Sequence, residues 1–205
     1  MLNPFSNIYI FAVPLLPILS GFAVFITIFN YIPYILGIKS NKVKPHYFSW
    51  IIWGLTTFIV FLATLAGGGG YGSISIGISG IITFYVAYLA FRHRSDLTIL
   101  KSDRVFLLIA LASIPAWYVS NDPFWATAIL TSIDIIGFFP TIQKAILKPF
   151  EEDIFFYFVF VARNLVVIAS LDSFNWTTLL FPVVVSIACL ILILLIIFFR
   201  LKFKE

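Results

Sequence analysis

The chain has 205 residues, of which 61% are hydrophobic and only 11% charged, with a formal net charge of +4. Its mean hydropathy of +1.08 lies far outside the soluble globular norm of roughly half apolar and about a quarter charged, so a soluble domain is excluded and an integral membrane protein in contact with the lipid bilayer is expected. Twelve of the thirteen Lys and Arg stand at the ends of apolar runs or between them; topology explains this charge, and no nucleic-acid partner is expected.

Apolar runs of about 20 residues cross a bilayer core of roughly 30 Å, and seven can be drawn. The first covers about residues 8–38, with Pro14 and Pro17 loosening its start and Pro33 bending it near its end. It is read as mature chain rather than signal peptide, because no basic n-region or clear cleavage site precedes it. The second covers about residues 45–66, four glycines (Gly67 to Gly70) make a turn, and the third covers residues 73–91. After the hydrophilic connection RHRSDLTILKSDR, a short fourth run, residues 105–118, reads as a linker helix. The fifth, sixth and seventh runs cover about residues 123–147, 150–171 and 176–200. Cys189, the one cysteine, lies in the last run, so neither an internal disulfide nor a thiolate metal site can form.

Charge placement tests this division, because short cytoplasmic loops hold the Lys and Arg of a membrane protein. Lys39, Lys42 and Lys44 follow the first run, Arg92, Arg94, Lys101 and Arg104 the third, Lys144 and Lys148 the fifth, and Arg200, Lys202 and Lys204 the seventh. The alternate connections GGGGYG, SNDP and LDSFN hold no Lys or Arg. The expectation is an all-α membrane protein with seven transmembrane helices, the N-terminus outside and the C-terminus inside. It is placed as a multi-pass protein of a bacterial inner (plasma) membrane.

Two stretches are related: Thr131 to Asp153 (TSIDIIGFFPTIQKAILKPFEED) and Thr27 to Trp50 (TIFNYIPYILGIKSNKVKPHYFSW). Placing Pro33 on Pro140 puts Thr27 on Asp134 and Asn30 on Gly137, and a three-residue gap brings Lys44-Pro45 onto Lys148-Pro149. The expected organisation is two three-helix bundles, residues 1–92 and 123–205, joined by a connecting loop and linker helix over residues 93–122 (3+1+3). In a membrane protein such duplication points to a transporter-like fold with a site between the repeats.

The segment P-Y-I-L-G-I-K-S-N-K-V-K-P-H-Y-F-S-W and its second copy P-T-I-Q-K-A-I-L-K-P resemble the PQ-loop motif of the SWEET and PQ-loop transporter superfamily, with Tyr34 and Thr141 standing where glutamine would follow each proline and Gln143 two residues late. The resemblance implies seven helices as two three-helix bundles around a linker helix, N-terminus outside, and carriage of small solutes such as sugars, amino acids or vitamins. Sugar carriers of that family would show an asparagine inside the third and seventh helices, whereas here the third has none and Asn175 only opens the seventh.

Asp134 lies eleven residues after Pro123, about 16 Å along a helix, and Arg163 lies eight residues before Leu171, about 12 Å from the same surface. Unpaired charges near the bilayer centre cost about 2.5–3.5 kcal/mol each on the lenient scale, so both should face the interior. A salt bridge between adjacent helices is expected. Either the pair locks the second bundle together, or one member binds a charged solute or exchanges a proton, a role open only to the acid because Arg stays charged.

Asp134, Gly137, Thr141 and Lys144 share one helix face, as do Thr27, Asn30, Tyr34 and Gly37 in the first half. Trp50, Trp53 and Thr57 share a face of the second helix, and Tyr157 and Asn164 the matching face of the sixth. The candidate substrate-binding residues are Asn30, Trp53, Thr57, Asp134, Thr141, Tyr157, Arg163 and Asn164. Trp50 and Trp53 are either an aromatic floor or interfacial belt residues. Pro33 and Pro140 are hinge candidates or fixed kinks. Pro45 and Pro149 open helices, with Glu151, Glu152 and Asp153 at the helix N-terminus of the second copy. Ser73, Gly77 and Gly80 allow close helix packing.

No enzyme is expected: there is no H-E-x-x-H, only one acid is buried, and no catalytic, cofactor or metal set is seen. A covalent retinal protein is excluded because the seventh run has no lysine before Lys202. The expected function is facilitative or proton-coupled transport of a small polar metabolite by alternating access between two pseudo-repeats, with homo-oligomerisation left open. The alternative is a non-transporting receptor or assembly subunit with the same fold.

Overall fold

The computed structural model describes residues 15–41, 47–93, 101–138, 142, 145–146, 149–151 and 154–203. Among them are seven α-helices and no strand: α1 (Leu15–Lys39), α2 (Tyr47–Ala66), α3 (Tyr71–Arg92), α4 (Lys101–Ser120), α5 (Pro123–Gly137), α6 (Ile154–Ala169) and α7 (Trp176–Lys202), with a 3-10 turn at Pro149–Glu151. The helices α1, α3 and α7 are long and apolar enough to cross a membrane; the apolar stretches of the other four are shorter.

Three boundaries depart most from the hydropathy reading. The helix α5 ends at Gly137, capped at Phe138, where the apolar run was expected to continue to about residue 147. The helix α4 begins at Lys101, four residues before the apolar run, because Lys101 to Arg104 form its first turn. Polar residues continue a helix as well as apolar ones do, so hydropathy misses such a turn. Pro149 opens a 3-10 turn, and α6 starts only at Ile154. Pro14, Pro45, Pro140, Thr141, Gln143, Lys144, Glu152 and Asp153 lie outside the described residues.

Helix ends follow their local chemistry. Asp122 caps α5, its Oδ1 accepting from Phe124 N at 2.9 Å, with Pro123 at the first helical position. Asn175 caps α7 in a reciprocal box, its Oδ1 accepting from Thr178 N while Asn175 N donates to Thr178 Oγ1, both at 3.1 Å. The helix α1 continues past Pro33, which is exposed, to Lys39.

The packing inverts the soluble pattern. Phe22, Phe25 and Phe29 are exposed along one side of α1, whereas Ser20, Thr27 and Asn30 on the opposite side are buried. Phe155 and Phe158 on α6 and Leu190, Leu194 and Phe198 on α7 likewise face outward. An apolar exterior around a partly polar interior is what a hydrocarbon surround demands, and it marks a membrane-embedded helical protein.

In each half the third helix lies between the other two: α3 packs on both α1 and α2, whose backbones stay apart while Tyr31 and Tyr34 of α1 meet Trp50 of α2, and α7 packs on both α5 and α6. The halves meet reciprocally, α1 against α6 and α2 against α5, while α4 packs on α5 and α2. Close approach of α2 and α3 depends on Gly80, where a Cβ would lie 3.2 Å from Phe58 N and 3.3 Å from its Cα.

Candidate functional site at the two seams

The contact of α1 with α6 and that of α2 with α5 form two seams. Each carries one buried ionisable side chain from the second half, met by a threonine of the first. In the α2–α5 seam, Thr56 Oγ1 donates to Asp134 Oδ1 at 2.9 Å, although Trp53 O at 3.1 Å competes for the same proton. In the α1–α6 seam, Arg163 Nε donates to Thr27 Oγ1 at 3.0 Å, and Thr27 directs its own proton to Ala23 O at 2.8 Å. The guanidinium also donates from Nη1 to Asn164 Oδ1 at 2.7 Å and from Nη2 to Ser75 O on α3 at 2.8 Å. Its carbon lies 5.6 Å from the Phe160 ring centroid.

The expected salt bridge between Asp134 and Arg163 is therefore absent: their charged atoms turn to different partners on different helices. Both side chains are buried, as inferred, but they belong to different seams. Equal depth along two helix axes says nothing about the direction in which each residue points around its axis.

The repeat register acquires a physical meaning here. Thr27 and Asp134, aligned when Pro33 is placed on Pro140, each bond across a seam to the second helix of the opposite half. The residue aligned with Arg163 is Ile59, and Thr56 lies three positions before it, one turn away on the same face of α2.

Of the remaining candidates, Asn30, Thr57 and Asn164 are buried, and Trp53 and Tyr157 are half-buried. Thr56, adjacent to Thr57, is the residue that reaches Asp134. Trp50 packs within the first half: its ring centroid is 5.0 Å from that of Tyr34, 6.5 Å from Tyr31 and 5.6 Å from Trp53. Tyr31, Thr56 and Ser75 were missed by sequence reasoning. Tyr31 Oη is bonded to Ser79 Oγ at 3.1 Å and Thr83 Oγ1 at 3.0 Å, and the hydroxyls spaced four apart on α3 were its one visible signal. Ser75 contributes only its carbonyl, which no side-chain pattern announces.

One end of the molecule is closed by a clasp between the halves. Asp172 Oδ1 accepts from Tyr71 N at 3.1 Å at the start of α3, Asp172 N donates to Gly69 O at 3.3 Å, and Asn175 Nδ2 donates to Gly67 O at 2.7 Å. Gly70 makes this approach feasible: its φ of 51° suits glycine, and a Cβ there would fall on the Asp172 carboxyl group. Among the described residues, no group of three or more His, Cys, Asp or Glu is placed to hold a metal ion.

Comparison with known proteins gives no match to this chain from a protein-family model, a curated protein or a solved structure. The class that the fold itself defines is a helical membrane-embedded protein.

Proposed function

We propose that the chain is a seven-span transporter, facilitative or proton-coupled, that moves a small polar metabolite by alternating access between two pseudo-repeats. In this reading the N-terminus is outside and the C-terminus inside, as the distribution of Lys and Arg implies. The resemblance to the SWEET and PQ-loop superfamily belongs to the same proposal.

The reciprocal seams carry the reading. Two halves of like packing order meet through like helices, and each interface holds a buried ionisable group bonded to a neutral hydroxyl rather than to an opposite charge. Hydrogen bonds from or to such groups contribute about 1–3 kcal/mol each and are exchangeable, so such seams can part and re-form when one half rocks against the other, the α2–α5 seam with its single bond more readily than the α1–α6 seam. The clasp ties the halves together on the glycine-loop face and corresponds to a conformer closed on that side.

Flux of a metabolite panel into proteoliposomes tests the proposal. Saturable uptake of at least one compound is expected, and absence of flux across sugars, amino acids and organic acids would remove the transport reading. Asp134→Asn is expected to retain the fold and, for a proton-coupled carrier, to lose the difference in flux between pH 5.5 and pH 7.5, since of the buried pair Asp134 and Arg163 the arginine stays charged.

A further inference from the structure

We propose that Arg163 and Asn164 bind the carboxylate of a small free solute in the α1–α6 seam, making the metabolite carried by this protein an organic anion. The transport meaning rests on the reading above; the binding site rests on the seam alone.

Arg163 is 2% exposed and its guanidinium is permanently charged, yet its three hydrogen bonds all go to neutral oxygens, of Thr27, Asn164 and Ser75. A guanidinium has five N–H groups, so two remain. The acids whose side chains are described are all engaged elsewhere: Asp134 with Thr56 in the other seam, and Asp122 and Asp172 exposed at the ends of the molecule, capping α5 and closing the clasp. A buried cation without a counter-ion is strongly unfavourable in a low-dielectric interior.

Beside it, Asn164 is 0% exposed. Its amide oxygen must face the guanidinium, which accepts no hydrogen bond, so Nδ2 points elsewhere and has no acceptor. Neighbouring residues of one helix thus leave donors unfilled, and what both lack is a negatively charged acceptor. A carboxylate supplies two coplanar oxygens matched to the guanidinium fork and full charge compensation. Arg163 lies six residues, about 9 Å, before the Ala169 end of α6 and is 2% exposed, so a small free solute suits the site better than a lipid headgroup.

The test combines melting of the purified protein in detergent with flux. Probes are lactate and succinate, their neutral amides, inorganic phosphate and chloride. The carboxylates are expected to raise the melting temperature saturably and the amides to leave it unchanged. Arg163→Lys should weaken apparent affinity at least about tenfold by losing the fork, and Arg163→Gln should abolish the response.

The decisive variant needs no ligand. Asn164→Asp keeps an oxygen toward Nη1, removes the orphan donor and supplies an internal counter-ion. It is expected to melt higher than the unliganded parent and to lose the carboxylate response. A lower melting temperature for Asn164→Asp would overturn the proposal and leave Arg163 as a purely structural tie; so would an equal response to the amides, or a response to phosphate or chloride alone. Saturable carboxylate binding without flux keeps the site and removes transport. Flux of neutral solutes that carboxylates do not compete, retained in Asn164→Asp, keeps transport and removes the site.

Discussion

The two seams share one architecture and differ in chemistry. In the α2–α5 seam the ionisable group is an acid with one side-chain donor among the described residues, Thr56; in the α1–α6 seam it is an arginine held by three oxygens from three helices. Arginine spreads its charge over a wide fork and can tie α6 to α1 and α3 at once, whereas the carboxylate of Asp134 takes what one hydroxyl offers. Two halves of like packing order can therefore keep a like interface geometry while holding different ionisable groups. Here one seam is anchored broadly and the other by a single exchangeable bond.

The largest loss is expected at the clasp between the α2–α3 and α6–α7 turns. Gly70→Ala forces a side chain into a backbone conformation reserved for glycine and onto the Asp172 carboxyl group. A loss of about 3 kcal/mol is expected in denaturation experiments. Gly21→Ala is the control, since a Cβ there meets nothing within 4 Å; it should stabilise α1 by about 0.5–1 kcal/mol.

Removing the hydroxyl from each seam sharpens the contrast. Thr56→Val leaves Asp134 without its donor and should cost about 2 kcal/mol, with a double-mutant cycle against Asp134→Asn returning a coupling of about 1 kcal/mol or more. Thr27→Val should cost less, about 1 kcal/mol, because Asn164 and Ser75 still hold Arg163. Equal losses from the two threonines would show that the seams are energetically alike.

The smallest effect is expected from Asp172→Ala, about 0.5–1 kcal/mol, since the carboxylate is exposed and its bond to Tyr71 N is that of a helix cap. Limited proteolysis within the Gly67 to Gly70 turn reads this variant directly, and faster cleavage is expected as the clasp loosens.

Sequence by itself determined the membrane class, the approximate positions of the seven helices and the burial of Asp134 and Arg163. These properties are one-dimensional: apolar run length, charge spacing and depth along a helix axis can all be counted off the chain. Tertiary structure alone decided the partners. The seams form between helices distant in sequence, α1 with α6 and α2 with α5, and the facing of each side chain is set by packing across them. That is why counting placed Asp134 and Arg163 at one depth and suggested a salt bridge, while the fold turned the acid to Thr56 and the arginine to Thr27, Asn164 and the Ser75 carbonyl.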